Sequence, residues 1–328
     1  MIRSLTRRRF AAAGAAYMLT GASDVQERVV WYTSLETLTL NAVAQRFEQT
    51  HPNISLQPLR MEGNKIPARI TIEQTAGKFS ADVISADELP MEQLQEAGAL
   101  QVFHPDVRDK FIVGSYDPNG YWTTLYYDTT VIAWNPQKVR ADGLRAPTSL
   151  ADLARPEWSG KIGIDASAFN WYAGVLATQS DARALLQRIA ANRPLMTSGH
   201  TETVMQLSAG EFDVTPTAYG YMADHEQRRG RPVAFINPRP LIMTPTTISL
   251  AKNAPHSDAA RAFLSWILSR EGQQFIVDRS GRNCARADIA NNARVFSRNQ
   301  PYYILPAPNR AQYNTLVSEF KALFGLGG

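Results

Sequence analysis

Strand-like and helix-like segments alternate over the first hundred residues of the chain. Strands are predicted at 29–34, 54–59 and 81–85 from their short apolar runs. A helical spacing of apolar residues follows the first strand, and further helices are predicted at 66–77 and 91–97. This β-α-β-α-β-α order predicts a parallel sheet with right-handed crossovers, and hence an α/β fold.

The alternation is interrupted in the middle of the chain. Residues 122–127 and 130–134 have the pattern of two adjacent extended runs, and a second βαβ series begins near Trp158. Another extended run, 240–249, precedes a helical stretch at 258–277. We therefore predict two Rossmann-like lobes joined by hinge strands, the second lobe inserted into the first. The predicted boundaries are 24–130 and 246–328 for the first lobe and 131–245 for the second, with a C-terminal helix at 313–324 lying across the first lobe.

The first 23 residues have the composition of an export signal. Arg7, Arg8 and Arg9 precede Phe10, and a short, weakly apolar run and several small residues follow. This order resembles the twin-arginine type of signal. We therefore predict a signal peptide over residues 1–23 and export to the periplasm. No lipid anchor is expected, because no cysteine lies near the predicted cleavage site.

The excess positive charge lies in that same segment. The formal charge is +4, and four arginines precede the first acidic residue, Asp24, so the rest of the chain is neutral. A neutral body without a basic stripe argues against nucleic acid as a partner. The single cysteine, Cys284, excludes a disulfide or a cysteine-based zinc site within one chain.

Candidate ligand-binding residues lie where predicted strands pass into helices. In open α/β sheets ligands bind at the carboxyl ends of strands, and the free N–H groups of a helix start favour anions. The candidates are Thr33, Ser34, Leu35, Ser85 and Asp87 in the first lobe, and Ser167, Asn170, Trp171, Tyr219 and Tyr221 in the second. Four of them have an alternative structural role, Ser34, Ser85 and Asp87 as helix caps and Trp171 as a core residue.

Several segments, taken in order, resemble one known family. They are VVWYTSLETLTLNAVAQRFEQTHPNI, ADVISADELPMEQLQEAGAL, VIAWNPQKV, APTSLADLARPEWSGKIGI, LSAGEFDV and ISLAKNAPHSDAARAFLSWILSREGQQFI. They are similar to segments of the periplasmic substrate-binding proteins of ABC importers. More narrowly, they resemble the type II class, which contains ferric-iron binders and their relatives for phosphonates and sugar phosphates.

The resemblance implies a monomeric binding protein, without enzymatic activity or a cofactor, whose two lobes close around a small-molecule ligand. Its implied partners are the permease and the ATPase of the same importer. A solute sensor for a membrane receptor and an enzyme on the same fold are the alternatives. An enzyme would need a nucleophile beside a base, and we interpret the one such neighbourhood, Ser198 with His200, as a helix cap.

The nature of the ligand stays open in the sequence. In iron-binding relatives adjacent tyrosines hold Fe(III), whereas here Gly220 separates Tyr219 from Tyr221, with Glu36 as a further oxygen donor. We favour an organic or phosphorus-containing anion, because helix starts and hydroxyl groups dominate the candidate turns. A guanidinium clamp is expected from one of Arg60, Arg69 and Arg282. Ferric iron as the transported ligand, polyamines and neutral solutes are the alternatives.

Overall fold

The computed structural model describes residues 27–326, so the signal peptide predicted at 1–23 lies outside the described residues. The strands are β1 (Glu27–Thr33), β2 (Ile54–Arg60), β3 (Val83–Asp87), β4 (Leu100–Gln101), β5 (Thr123–Trp134), β6 (Gly163–Asp165), β7 (Leu195–Thr197), β8 (Val214–Tyr219), β9 (Ala234–Ile236), β10 (Leu241–Ala251) and β11 (Tyr302–Ile304). The α-helices are α1 (Thr37–Thr50), α2 (Ile66–Thr75), α3 (Glu88–Glu96), α4 (Pro136–Ala141), α5 (Phe169–Thr178), α6 (Ala182–Ala191), α7 (His200–Ala209), α8 (Gly220–Arg228), α9 (Ser257–Ile267), α10 (Arg270–Ser280) and α11 (Arg310–Phe324).

A nine-stranded sheet runs through the described part of the chain, with the main path β2-β1-β3-β10-β5-β8. Strand β1 pairs in parallel with β2 and β3, as the βαβ pattern predicts. Antiparallel pairs then join β3 to β10, β10 to β5 and β5 to β8. The predicted α/β fold with a parallel sheet at its start is confirmed.

Strand β5 differs from its prediction. The two runs predicted at 122–127 and 130–134 form a single strand of 12 residues, and all of them except Trp134 are buried. Asp128 and Thr129 do not interrupt the strand, because β10 and β8 flank its two edges. The helical stretch predicted at 258–277 is also divided, into α9 and α10. Ser269 begins α10 by accepting a hydrogen bond from the amide of Gly272.

Strands β5 and β10 connect two separate hydrophobic cores. Successive side chains of a strand point to opposite faces. Val131 accordingly packs in the core that contains Trp31 and extends to Leu207 and Ala223 of α7 and α8, and Ile132 packs in the second-lobe core, which contains Trp171. In β10, Met243 packs in the same core as Trp31, and its neighbour Ile242 packs in the second-lobe core. These two continuous strands are the hinge strands that the sequence predicts.

Helix α11 packs mainly on the second lobe, against α5 and α6, and also contacts α3 of the first lobe, whereas the sequence predicts it across the first lobe alone. Phe320 is fully buried, and its ring centroid lies 5.2 Å from that of Phe169 and 5.7 Å from that of Tyr172. At the rim, Nη1 of Arg183 lies 3.1 Å from Oε2 of Glu319. The remaining lobe boundaries stay predictions. Within residues 27–326 no helix combines the length and apolar character needed to cross a membrane.

Candidate functional site

Polar side chains from both lobes share one face of the central sheet. Tyr126, Asp128 and Thr130 point to the same face of β5, because they occupy alternate positions. Thr246 of β10 lies opposite both Tyr126 and Asp87, and its hydroxyl donates to Oδ1 of Asp87 at 2.9 Å. Thr130 lies opposite Tyr219 of the second lobe. We call the set Asp87, Tyr126, Asp128, Tyr219 and Thr246 the cleft floor.

Arg282 joins three elements at the edge of the cleft floor. Its Nε donates to Oδ1 of Asp128 at 3.0 Å, its Nη1 to Oε2 of Glu36 at 2.7 Å and its Nη2 to the hydroxyl of Tyr221 at 3.0 Å. The guanidinium carbon lies 4.1 Å from the ring centroid of Tyr221 and 4.8 Å from that of Tyr126. The Arg282 side chain is only 7% exposed. Since Tyr221 belongs to α8, this buried cation links the first lobe to the second.

His200 and Tyr219 form the second-lobe side of the cleft. Their rings stack with centroids 3.9 Å apart. Nδ1 of His200 donates to the carbonyl oxygen of Thr217 at 2.8 Å, and Nε2 lies 3.2 Å from Oδ2 of the fully buried Asp165. Both ring nitrogens of His200 therefore face acceptors, which fixes the orientation of the ring against Tyr219.

Burial changes the acidity of the groups on the cleft floor. It raises the pKa of Asp128 to about 6, although the charge of Arg282 acts in the opposite direction. Burial also raises the pKa of Asp87, against the hydrogen bond from Thr246. The same cause raises the pKa of Tyr221 to about 12 and that of Tyr219 well above its ordinary value. At neutral pH both tyrosines are neutral hydrogen-bonding groups.

Carboxylates outnumber cations in this cleft. Asp128 and Glu36 bind the guanidinium of Arg282, Asp87 accepts from Thr246, and His200 faces the carboxylate of Asp165. Two unit charges 4 Å apart interact by about 4 kcal/mol at an effective dielectric constant of 20. An added anion would therefore meet net repulsion here, and an added cation net attraction.

Three of the five candidates predicted in the first lobe are buried away from the cleft. Thr33, Leu35 and Ser85 are each at most 1% exposed. The hydroxyl of Ser85 accepts from Nε1 of Trp31 at 3.1 Å and donates to Oγ1 of Thr33 at 2.7 Å. Oγ1 of Thr33 also accepts from the amide of Leu35 at 3.1 Å. These hydroxyls hold the turn after β1, and the protein itself uses their hydrogen-bonding capacity.

The other two first-lobe candidates differ from each other. Asp87 lies on the cleft floor, in the N-cap position of α3 but without a side-chain capping bond. Ser34 is half-buried, and the capping role considered for it is wrong, because Glu36 occupies the N-cap position of α1. Glu36, named in the sequence only as a donor to iron, is the partner of Arg282.

In the second lobe, Tyr219 and Tyr221 meet at the cleft, with ring centroids 6.0 Å apart. Ser167 instead donates through its amide and its hydroxyl to Oδ1 of Asp165, each at 2.9 Å. Trp171 is 3% exposed and belongs to the second-lobe core. Asn170 lines a groove between α5 and the C-terminal segment. None of these last three residues lies on the cleft floor.

Tyr126, Asp128 and the role of His200 are not predicted by the sequence. The expected helix cap at Ser198 and His200 is wrong, because α7 begins at His200 and its N-cap position is Gly199. A signal for Asp128 does exist, because an acidic residue in a strand buried on both faces needs a buried partner. That partner, Arg282, lies 154 positions away along the chain.

Gly220 lies between the two tyrosines, and the close packing around it should allow only a glycine at this position. A Cβ atom at this position would lie 2.5 Å from Cγ1 of Val295 and 2.8 Å from Oγ1 of Thr129. We expect Gly220→Ala to destabilise the protein by about 1–3 kcal/mol, measured by urea denaturation. Gly63→Ala is the control, because its Cβ would come no closer than 3.8 Å to Ser34. Equal stability of the two variants would contradict this packing argument.

Sequence comparison places the chain in a family. The model of the bacterial extracellular solute-binding proteins matches residues 29–281. The chain belongs to this family. The solute-binding protein is 23% identical to the Fe(3+)-binding periplasmic protein of Serratia marcescens, over 66% of its own chain and 64% of that relative, which is less than two thirds of the relative's length. It is 21% identical to iron uptake protein A1 of Synechocystis, over 90% of its own chain and 91% of that protein.

Solved structures of periplasmic binding proteins share the fold. AfuA from Actinobacillus pleuropneumoniae, with fructose-6-phosphate bound, superposes with a TM-score of 0.79 at 20% identity, covering 92% of this chain and 100% of AfuA. Iron-bound HitA from Pseudomonas aeruginosa gives a TM-score of 0.73 at 21% identity, covering 91% and 98%. These similarities confirm the predicted two-lobed type II fold.

Proposed function

We propose that this solute-binding protein is the exported component of an ABC importer, which captures a small ligand between its lobes. Ligand contacts stabilise the closed arrangement, and the permease with its ATPase then receives the ligand from the closed protein. The observation that carries the proposal is the cleft floor, where Asp87 and Asp128 of the first lobe share a sheet face with Tyr219 of the second.

The same geometry supports binding rather than catalysis. Both ring nitrogens of His200 face protein acceptors, so His200 is not free to activate Ser198 as a nucleophile. Tyr219 and Tyr221 are neutral, and the guanidinium of Arg282 is held by Asp128 and Glu36. Ser198 and His200 therefore do not form a nucleophile–base pair, and the geometry supports binding.

The proposal also concerns the chemical class of the ligand. The organic or phosphorus-containing anion favoured by the sequence stays a prediction, and the similarity to the fructose-6-phosphate-bound AfuA supports it. The names of other relatives support ferric iron. The charge balance of the cleft supports neither free phosphate nor another simple anion, because the carboxylates of Asp128 and Glu36 already hold the guanidinium of Arg282 and Asp87 adds a third carboxylate.

The proposal is tested by native mass spectrometry of the exported protein, compared with its denatured mass. A bound solute appears as a mass excess that is lost on denaturation, and we expect the solute to reduce the radius of gyration when it is added back. An excess equal to iron, with a visible absorption that disappears in Tyr219→Phe and Tyr221→Phe, would assign iron. Turnover of the bound solute would instead indicate an enzyme, and a protein that no solute stabilises would refute the binding function.

A further inference from the structure

The excess of carboxylates on the cleft floor limits the chemistry of the ligand. We propose that the ligand carries an organic cation, an ammonium or guanidinium group, which binds beside Asp87 and Asp128. This inference rests on the proposed function, because it assigns a chemical class to the solute captured between the lobes.

Asp87 and Asp128 each retain one carboxylate oxygen for a ligand. Oδ1 of Asp87 accepts from Thr246, and Oδ1 of Asp128 accepts from Arg282. Among residues 27–326 no group donates a hydrogen bond to Oδ2 of either carboxylate. Asp128 is only 8% exposed, and a carboxylate this buried needs several hydrogen-bond donors. Ammonium and guanidinium groups supply donors of this kind together with the opposite charge.

Arg282 shows how the cleft holds a cation. Its guanidinium lies between the carboxylates of Asp128 and Glu36 and against the rings of Tyr221 and Tyr126, at 4.1 and 4.8 Å. Carboxylates combined with aromatic faces are a common environment for organic cations in proteins. In the described part of the chain Asp87 forms no ion pair, so one floor carboxylate has no cation of its own.

An organic cation fits the cleft better than a metal ion. Within residues 27–326 no group of three or more His, Cys, Asp or Glu side chains is placed to hold a metal. The guanidinium of Arg282 donates to the hydroxyl of Tyr221 at 3.0 Å, and its carbon lies 4.1 Å from the ring centroid of Tyr221. Tyr221 thus already binds an organic cation through its hydroxyl and its ring, the contacts that suit an ammonium or guanidinium group.

The affinity for a cation should fall on acidification. The charged and titratable groups facing Asp128 are Arg282, Glu36, Asp87, Glu88, His200, Tyr126, Tyr219 and Tyr221. Burial raises the pKa of Asp128 to about 6, and a cation binds the ionised carboxylate. Affinity for a cation is therefore expected to decrease as the pH falls from about 7.5 to about 5, whereas affinity for an anion would increase.

The inference is tested by titration calorimetry on the mature protein. The cationic probes are spermidine, agmatine and choline, the anionic probes are fructose 6-phosphate and inorganic phosphate, and ferric citrate tests iron. We expect at least one cationic probe to bind, and Asp87→Asn and Asp128→Asn each to weaken it by about tenfold or more. Asp106→Asn, an exposed carboxylate away from the cleft, should bind like the parent protein.

The outcomes separate this inference from the proposed function. Binding of only fructose 6-phosphate, phosphate or iron would overturn the organic cation and leave the solute-binding function intact. Binding of no probe, together with no mass excess in the native protein, would overturn both. If an Asp→Asn variant fails to fold, as judged by circular dichroism, the pH dependence of the parent protein decides. Tighter binding of the cationic probe at low pH would then contradict the inference.

Discussion

Replacing Arg282 by methionine is expected to destabilise the protein by about 3–5 kcal/mol at neutral pH, the usual cost of breaking a buried ion pair from one side. The substitution removes three hydrogen bonds and leaves Asp128, 8% exposed, without its cation. It also releases Tyr221, so the link from the first lobe to the second is lost. The measurement is the free energy of unfolding from urea denaturation.

The cost of Arg282→Met should depend on pH in a known direction. Burial raises the pKa of Asp128 to about 6 in the parent protein, and the charge of Arg282 acts against this rise. A carboxyl group whose pKa is higher in the folded than in the unfolded protein stabilises the folded state at low pH. This contribution is lost as the pH rises through the pKa of the folded state. Without the guanidinium the folded pKa rises further. The variant should therefore be closest to the parent protein near pH 5 and furthest from it above about pH 7.

Two further variants check the origin of the effect of Arg282→Met. Arg46→Met breaks the exposed pair with Glu271 and should cost less than about 1 kcal/mol. Adding Asp128→Asn to Arg282→Met should recover part of the lost stability, because it removes the buried charge left unpaired. A large effect of Arg282→Met that is constant from pH 5 to 8 would contradict the charge-based explanation.

The fold was predictable from the sequence where local patterns decide the structure. The strands β1, β2 and β3 and their helices follow from apolar spacing that every βαβ unit must show. The 12-residue strand β5 was not predictable as one element, because Asp128 and Thr129 interrupt its apolar pattern. Asp128 is tolerated in this buried strand because Arg282 supplies a hydrogen bond and the opposite charge, and Asp128 belongs to the cleft floor. The failure of the pattern thus marks the candidate site.

The candidate site was predictable only in part. Tyr219 and Asp87 are the last residues of β8 and β3, and the end of a strand can be predicted from the neighbouring sequence. The pairing of Asp128 with Arg282 depends on residues 154 positions apart, and that of Arg282 with Glu36 on residues 246 positions apart. No periodicity in one sequence specifies such partners. Ser85 shows the opposite error, since its strand-end position suggested a ligand role although its hydroxyl is used by Trp31 and Thr33.

Helix α11 could be predicted as a helix but not assigned to a lobe, because an amphipathic face does not specify the surface it covers. The position of α11 predicts a second large effect. Phe320→Ala should lower the free energy of unfolding by about 3–5 kcal/mol. Phe320 is fully buried between α5 and the body of α11, against the rings of Phe169 and Tyr172. Truncation removes these contacts and leaves a cavity that the surrounding helices fill only in part.

Hydrogen exchange shows which lobe depends on Phe320. We expect Phe320→Ala to increase exchange in α5 and α6 while β1 to β3 keep their protection, because the ring belongs to the second-lobe core. Met205→Ala is the control in the same lobe, since Met205 is 53% exposed and its truncation should change stability by less than about 0.5 kcal/mol. Faster exchange in β1 to β3 instead would place α11 on the first lobe. Faster exchange confined to α5 and α6 would confirm that α11 stabilises the second lobe through Phe320.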